Sequence, residues 1–297
     1  MRFGRSLSWI DLSASRPLVA DDLPFHHYTL RHRTTAWVSR NLFDRFTYTV
    51  RHGLICGMKR KGGLGWMPSW LTRGVGTPEE SFWRGLALEG LVIYDIGAFH
   101  GILTLFFAAH GARVIAYEPN DGNHARLIEN ISLNGLTNVQ VRKLGVGAAP
   151  GSGTLHFSPE MAGGGSLRPN GIATMSQSIR ITTLDHDIAA ASLPAPDLIK
   201  IDIEGWELEA LEGMQATLDA HHPVLFLEMH GETMREKKTK ASAIVAFLGS
   251  AGYTDIVHVE TGRPIAPGNE TAAAEGHLYC VCPTNTSSAP SKTSSES

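Results

Sequence analysis

Residues 92–101 read Val-Ile-Tyr-Asp-Ile-Gly-Ala-Phe-His-Gly, and this stretch decides the fold class. An apolar run ends with Asp95, and the glycines Gly97 and Gly101 then bracket a turn that opens an apolar segment with helical spacing. A strand, a glycine turn and a helix in that order are typical of an open α/β sheet, whose ligands bind beyond the carboxyl ends of the strands. We therefore predict a nucleotide site at residues 97–101, called the glycine turn below.

A second strand supports this interpretation. Residues 113–117 form another apolar run, which is followed by Glu118, twenty-three positions after Asp95. A carboxylate at the tip of the second strand of such a sheet is well placed to accept hydrogen bonds from both hydroxyls of a ribose. Glu118 is therefore predicted to bind a nucleoside.

The composition of the turn distinguishes two kinds of cofactor. A dinucleotide site needs G-x-G-x-x-G so that backbone amides can approach a pyrophosphate, and residues 97–101 supply only two glycines. The Asp95 carboxylate would repel a pyrophosphate but would tolerate a cation. S-adenosylmethionine carries a sulfonium and an ammonium group and no phosphate, so it fits better. A nicotinamide-dependent oxidoreductase and a non-catalytic nucleotide-binding module are the alternatives.

Strands and helices alternate from residue 91 onward. Thr77 and Pro78 are typical of a helix start, residues 46–56 are strand-like, and the last two strands are expected to form an antiparallel edge pair. In the second helix, Leu127, Ile128 and Ile131 are predicted to face inward. The other predicted strands are residues 138–143, 154–157, 178–182, 198–201, 224–228, 253–259 and 277–282, and the predicted helices are residues 101–110, 121–134, 206–220 and 241–251.

Four acidic residues follow predicted strands: Asp95, Glu118, Asp202 and Glu228. Because the carboxyl ends of parallel strands meet at one edge of a sheet, these residues are expected to line a single crevice. The strongest local signal is the run from Asp197 to Glu207, in which Asp202 ends a buried strand and a glycine turn precedes a helix. The helix positions Glu207 and Glu209 are interpreted as solvated.

Four segments of this sequence together resemble the FkbM-type methyltransferases. They are Tyr-Asp-Ile-Gly-Ala at 94–98, Tyr-Glu-Pro-Asn at 117–120, Ile-Lys-Ile-Asp-Ile-Glu-Gly-Trp-Glu at 199–207 and Leu-Glu-Met-His at 227–230. The resemblance covers about residues 77–282 and implies the Rossmann-like class I methyltransferase fold, an α/β fold whose sheet has about seven strands with the last one antiparallel.

The resemblance also implies an activity and several site residues. The activity is S-adenosylmethionine-dependent methyl transfer, usually to oxygen. Asp95, Gly97 and Gly101 are expected to shape the methionine end of the cofactor site, and Glu118 to hold the ribose. The turn departs from many relatives by carrying Phe99-His100, which leaves the role of His100 open.

An alcohol acceptor must lose a proton, which requires a general base. His230, two residues beyond Glu228, is the candidate, and Asp202 is either the alternative or the partner that orients it. We also assign Asp202 to the cofactor site. A divalent cation bound by Asp202, Glu204, Glu228 and His230 is possible but not favoured, because an acidic cleft serves a cationic cofactor equally well.

The composition is that of an ordinary soluble enzyme, with 42% hydrophobic and 19% charged residues. No apolar run is long enough for a membrane span, no apolar signal core follows the first residues, and the three cysteines suggest no metal or disulfide framework. A cytoplasmic location, a small-molecule acceptor and no nucleic-acid partner are therefore expected, whereas the oligomeric state is not predicted.

Charged residues are unevenly distributed along the chain, with a basic first part and an acidic remainder. Residues 1–75 hold 12 Lys and Arg against 4 Asp and Glu, and the rest hold 14 against 25. We predict a basic, Trp-rich extension at residues 1–76, a methyltransferase domain at 77–283 and a disordered tail at 284–297. The extension, with its basic run Lys59-Arg60-Lys61, either packs against the acidic core or attracts an anionic substrate or membrane surface. Residues 158–177 and 231–240 are candidate lids.

Overall fold

The computed structural model describes residues 46–62, 76–157, 167 and 174–283. Its main element is an eight-stranded sheet with helices on both faces. The strands are β1 (Thr47–Thr49), β2 (Lys59–Lys61), β3 (Val92–Ile96), β4 (Arg113–Tyr117), β5 (Val139–Arg142), β6 (Gly145–Val146), β7 (Gly151–Phe157), β8 (Met175–Thr182), β9 (Leu198–Ile201), β10 (Val224–Glu228), β11 (Asp255–His258), β12 (Arg263–Pro264) and β13 (His277–Val281). The helices are α1 (Pro78–Arg84), α2 (Ile102–Ala109), α3 (Asp121–Leu133), α4 (Leu184–Ala191), α5 (Glu207–Glu212), α6 (Gln215–His221) and α7 (Met234–Ser250).

The strand order of the main sheet is β12-β11-β13-β10-β9-β3-β4-β5. Strands β5, β4, β3, β9 and β10 pair in parallel, and β13 runs antiparallel to both of its neighbours, β10 and β11. This confirms the predicted class I sheet with a reversed last strand, and the two-residue strand β12 adds an eighth strand at the edge.

The strand order reverses direction between β3 and β9, so the chain leaves a crevice above their carboxyl ends. The register pairs Asp95 with Lys200 and Ile96 with Ile201 across these two strands. The glycine turn and Asp202 therefore lie side by side, because each directly follows its strand.

The core lies on both faces of the sheet because its central strands are buried on both sides. One face packs Trp83 of α1 and Phe107 of α2 against Phe226, with ring centroids 4.9 Å apart for Trp83–Phe107 and 4.3 Å for Trp83–Phe226. The other face is covered by α5, α6 and α7. Apolar side chains are needed on both faces, which explains why these strands are continuous hydrophobic runs.

The described residues form seven α-helices where the sequence predicted five, because α4 was missed and the helix predicted at 206–220 is divided in two. Thr77 caps α1 by accepting a hydrogen bond from the Glu80 amide at 3.1 Å, as its sequence indicated. In α3, Leu127 and Ile131 are buried as predicted, but Ile128 was wrong, since it is 47% exposed. Ile128 follows Leu127 by 100° around the helix and so leaves the buried face.

Three sequence predictions were wrong in extent. The helix predicted at 206–220 is two helices, broken at Gly213, where an added Cβ would lie 2.0 Å from the Gly147 carbonyl oxygen. Helix α7 begins at Met234, capped by Thr233, so most of the candidate lid at 231–240 is regular helix. The strand predicted at 46–56 ends at Thr49 and continues as turns.

Strands β1 and β2 form a hairpin that packs on α3. The backbone amides of Lys59 and Lys61 donate to the side-chain oxygens of Asn134 and Asn130, and the Lys61 ammonium pairs with Glu129. This described part of the basic extension therefore packs on the core, which is the first of the two alternatives predicted for the extension. The rest of the extension, the tail and most of the candidate lid at 158–177 lie outside the described residues.

A second sheet of three strands, β6-β8-β7, lies beside the main one. Its strands β7 and β8 are longer than the sequence indicated and pair in antiparallel register from Gly151 with Ile181 to Phe157 with Met175. Among the described residues, no helix is long and apolar enough to cross a membrane.

Candidate functional site

The glycine turn fits closely against the strand end that carries Asp202. Gly97 has a φ of +81°, and a Cβ added there would lie 1.8 Å from the Asp202 carbonyl oxygen. Gly101 has a φ of +89°, and an added Cβ would lie 2.5 Å from Leu127 Cδ1. Both positions need glycine for a left-handed backbone and for close packing, which explains the two glycines that the sequence pattern singled out.

Glu118 lies at the carboxyl end of β4 and is 5% exposed. Its Oε2 accepts a hydrogen bond from the Phe99 amide and its Oε1 accepts one from the Asn120 amide, both at 2.9 Å. Burial raises the pKa of Glu118 to about 7, against the lowering effect of these two amides. Because each carboxylate oxygen can accept more than one hydrogen bond, Glu118 can hold the turn and still accept ribose hydroxyls.

Asp95 and Lys200 form a buried ion pair under the glycine turn. Lys200 Nζ lies 3.2 Å from Asp95 Oδ1 and 3.4 Å from Asp202 Oδ2, and it donates a hydrogen bond to the Gly97 carbonyl at 2.9 Å. Thr104 Oγ1 donates to Asp95 Oδ2 at 2.5 Å. Asp95 is 1% exposed. Its carboxylate therefore stabilises the turn from below, and its direct contact with a cofactor stays a prediction.

His230 lies at the centre of a cluster of four carboxylates. Its Nδ1 is 3.2 Å from Glu207 Oε1, and Glu207 is 1% exposed and also accepts a hydrogen bond from the Gly205 amide. Three other carboxylate oxygens lie around its Nε2: Glu228 at 3.5 Å, Glu204 at 3.6 Å and Asp202 at 3.8 Å. The crevice thus collects Asp202, Glu228 and His230 as the sequence predicted.

The charges of this cluster decide its protonation. Burial lowers the pKa of His230, but hydrogen bonds and charge from Glu207 and Glu228 outweigh it and raise that pKa to about 11. Burial raises the pKa of Glu204 to about 7 and also raises that of Asp202. Near neutral pH, His230 is therefore an imidazolium, and the nearby groups that can accept a proton are carboxylates.

The same residues match the spacing of a metal site. Asp202, Glu228 and His230 each offer one ligand atom, and these atoms lie within 4.8 Å of one another. A protonated imidazole among carboxylates has the same geometry, so the distances alone do not favour a cation. A divalent cation at these residues therefore stays an alternative that is not favoured.

Two contributors were missed by the sequence analysis. In the sequence, Lys200 is one residue of a predicted buried strand. Its pairing with Asp95 follows only from the parallel register of β3 and β9. Glu207 was interpreted as solvated, which is wrong, because the turn at residues 203–206 directs it inward to His230. The pattern Lys-x-Asp-x-Glu-Gly-x-Glu at 200–207 was the available signal for both residues.

The chain is similar in sequence to known methyltransferases. The Methyltransferase FkbM domain matches residues 95–254. Two curated relatives are similar: the hexuronic acid methyltransferase AglP of Haloferax volcanii, 30% identical over 158 residues, and Methyltransferase 1 of Beauveria bassiana, 25% identical over 143 residues. These alignments cover 52% and 41% of this chain.

The matched segments span 62% and 57% of those two relatives, which is less than two thirds of either. Among solved structures, a methyltransferase FkbM from Methylobacillus flagellatus KT is 21% identical, with a TM-score of 0.40, and the match covers 64% of this chain and 43% of that one.

Proposed function

This chain belongs to the FkbM methyltransferase family, and from that premise we propose that it transfers a methyl group from S-adenosylmethionine to an oxygen of a small, sugar-bearing acceptor. The observation that supports the proposal is the contact of Glu118 with the glycine turn, because the Phe99 amide holds this carboxylate at the end of β4, where the family resemblance implies a ribose-binding group. The site fits a nicotinamide cofactor less well. The turn lacks the third glycine of a dinucleotide site, and the carboxylates of the crevice would repel the pyrophosphate.

The residues present fit the proposed cofactor. Glu118 would accept hydrogen bonds from its ribose hydroxyls, and the close approach at Gly97 would leave the turn backbone open to its methionine part. The negative charge of Asp202, Glu204 and Glu228 would favour a cationic ligand in the crevice. When bound, S-adenosylmethionine supplies an electrophilic methyl group on a sulfonium.

The acceptor class is proposed from the family and from one relative. The Haloferax volcanii relative is a hexuronic acid methyltransferase, which supports a sugar-containing acceptor here. In the transfer, the acceptor oxygen forms a bond to the methyl carbon while the carbon–sulfur bond breaks and its electron pair stays on sulfur. The protein aligns the two reactants and excludes water, and an alcohol acceptor also has to give up its proton.

We propose that Asp202 takes this proton. His230 was the first candidate in the sequence, with Asp202 as the alternative or partner. An imidazolium with a pKa of about 11 is a poor base, whereas burial raises the pKa of Asp202 and so makes its carboxylate a stronger base than an ordinary aspartate. His230 would then hold Asp202 in place and balance the charge of the cluster.

Transfer itself is tested by mass spectrometry of sugar acceptors incubated with S-adenosylmethionine that carries a deuterated methyl group. We expect a labelled methyl on oxygen and S-adenosylhomocysteine as the second product. Calorimetry with S-adenosylhomocysteine and with NADH tests the cofactor, and binding of NADH alone would reject the proposal in favour of an oxidoreductase.

The base is tested by replacing Asp202→Asn and His230→Gln. Asp202→Asn should lower kcat about 10²- to 10⁴-fold, the usual contribution of a general base, and should remove the rise of kcat with pH. His230→Gln should lower kcat but keep that rise. The control is Asp219→Asn on the exposed face of α6, which should leave kcat unchanged. If the rise disappears in His230→Gln and survives in Asp202→Asn, His230 is the base.

A further inference from the structure

Among the described residues, a buried arginine near the glycine turn has no acidic partner. Arg60, the centre of the Lys59-Arg60-Lys61 run in β2, is only 7% exposed. In the described part of the chain, no carboxylate lies within ion-pair distance of its guanidinium, and its Nε is buried without a hydrogen-bond partner. A buried charge without an oppositely charged partner is costly, and a bound anion would offset that cost.

Asn130 connects this arginine to the turn. Its side-chain oxygen accepts a hydrogen bond from the Lys61 amide at 2.9 Å, and its side-chain nitrogen donates to the His100 carbonyl at 2.9 Å. Asn130 is fully buried. Lys61, the residue next to Arg60, is therefore joined to the glycine turn through a single side chain, and the Arg60 charge acts on the His100 ring of that turn.

The neighbours that act on the Arg60 guanidinium are the Tyr48 hydroxyl and the positive charge of Arg126. Arg126 lies one helical turn before Asn130, on the same side of α3, and both Arg60 and Arg126 act on the His100 ring. Burial and then these two charges lower the pKa of His100 to about 3, so the ring is neutral and stacks on Phe99 with centroids 3.8 Å apart. This edge of the turn has the opposite electrostatic character to the carboxylate cluster at His230.

We infer that Arg60 binds a carboxylate next to the glycine turn. This inference rests on the proposed function. The glycine turn then has a positively charged group on one side, Arg60, and a carboxylate on the other, Asp202. Two ligands could supply the carboxylate: the methionine part of S-adenosylmethionine, or an acidic sugar acceptor. Either would be held by the planar guanidinium, which matches a carboxylate with two parallel hydrogen bonds.

The test compares Arg60→Met with Arg51→Met, an exposed arginine in the same hairpin segment. Two ligands are titrated: S-adenosylhomocysteine, and S-adenosyl-3-thiopropylamine, which keeps the amine and lacks only the carboxylate. If the cofactor supplies the carboxylate, Arg60→Met should weaken binding of the first ligand about ten- to hundredfold and leave the second unchanged. Arg51→Met should change neither.

A third titration uses glucuronate against protein saturated with S-adenosylhomocysteine. If the acceptor supplies the carboxylate, Arg60→Met should abolish glucuronate binding and leave both nucleosides unaffected. The thermal unfolding midpoint of the unliganded protein is the second readout. It should stay the same or rise in Arg60→Met, because a methionine is buried at lower cost than an unpaired guanidinium.

The inference is overturned if Arg60→Met leaves all three titrations unchanged, and a lowered unfolding midpoint would then show that Arg60 is structural. A wild-type protein that binds neither nucleoside would instead contradict the proposed function. Arg60→Lys, which keeps the charge but cannot form two parallel hydrogen bonds, should bind with intermediate affinity.

Discussion

The buried carboxylate of Glu118 lowers the stability of the fold but is proposed to be needed for ligand binding. Its pKa in the folded state, about 7, is above its ordinary value of 4.5, so folding favours the protonated form. A carboxyl group of this kind destabilises the fold progressively as the pH rises from 4.5 to 7, and the loss persists above that range. A buried charge kept at such a cost is explained by the ligand it is proposed to bind.

The substitution Glu118→Gln should therefore stabilise the unliganded protein at pH 8. The expected gain is about 1–3 kcal/mol, since removal of the buried charge is partly offset by the loss of one amide hydrogen bond. The same substitution should weaken S-adenosylhomocysteine binding at least about tenfold. Urea unfolding and calorimetry measure the two effects, and a variant that is less stable at pH 8 would contradict this account.

Gly97 should be the least replaceable residue of the turn. Gly97→Ala places a methyl group 1.8 Å from a backbone carbonyl oxygen, which the sheet cannot easily move, so a loss of at least about 3 kcal/mol is expected. The control is Gly135→Ala, where φ is also positive but nothing lies within 4 Å of the added Cβ. That variant should lose only about 1 kcal/mol, the cost of the left-handed backbone. Equal losses in urea unfolding would show that contact with Asp202 is unimportant.

At the scale of elements, the hairpin of β1 and β2 is attached to the glycine turn through helix α3. Asn130 accepts from the hairpin and donates to the turn, whereas Asn134 contacts the hairpin and the Asn130 carbonyl of its own helix. The position of the turn therefore depends on a segment that precedes the sheet in sequence, and the hairpin is part of the site's framework.

Asn130→Ala and Asn134→Ala should differ in their effects on stability and on cofactor binding. It leaves a buried amide and a carbonyl without partners, so we expect a loss of about 2–4 kcal/mol together with weaker S-adenosylhomocysteine binding. Asn134→Ala removes more exposed contacts and should cost about 1 kcal/mol without changing affinity. Thermal unfolding and calorimetry test both, and unchanged affinity in Asn130→Ala would show that the hairpin does not position the turn.

At the scale of the molecule, four ionisable groups near the crevice make the fold less stable as the pH rises. Glu118 and Glu204 have folded-state pKa values of about 7, and His230 and His277 have values of about 11 and about 9. The two histidines stabilise the fold fully below their ordinary pKa of 6.5, and this contribution is lost as the pH rises through 9 and 11. The two carboxyl groups already destabilise the fold above pH 4.5, so all four act in the same direction.

The unfolding temperature should therefore fall as the pH rises from 6 to 10. Scanning fluorimetry across that range measures it, and His230→Gln should flatten the upper part of the curve because it removes the group with the highest shifted pKa. An unfolding temperature that rises between pH 6 and 9 would contradict the protonation of the cluster described above.

Much of this molecule follows from local sequence. Strands β9 and β10, Thr77 as a cap and the glycine turn were predicted at or near their observed bounds, because burial on both faces and a required positive φ leave a strong signal in a few consecutive residues. The acidic strand ends were predicted to share one crevice because parallel strands end at the same edge.

The sequence by itself determined the sheet, its glycine turn and the set of acidic residues at its edge, since periodicity and backbone conformation are local properties. Tertiary structure alone decided the protonation of His230, the pairing of Asp95 with Lys200 and the lack of an acidic partner for Arg60 among the described residues. Charge and pKa depend on every group within several ångströms and on burial, and those neighbours come from strands and helices far apart in the chain.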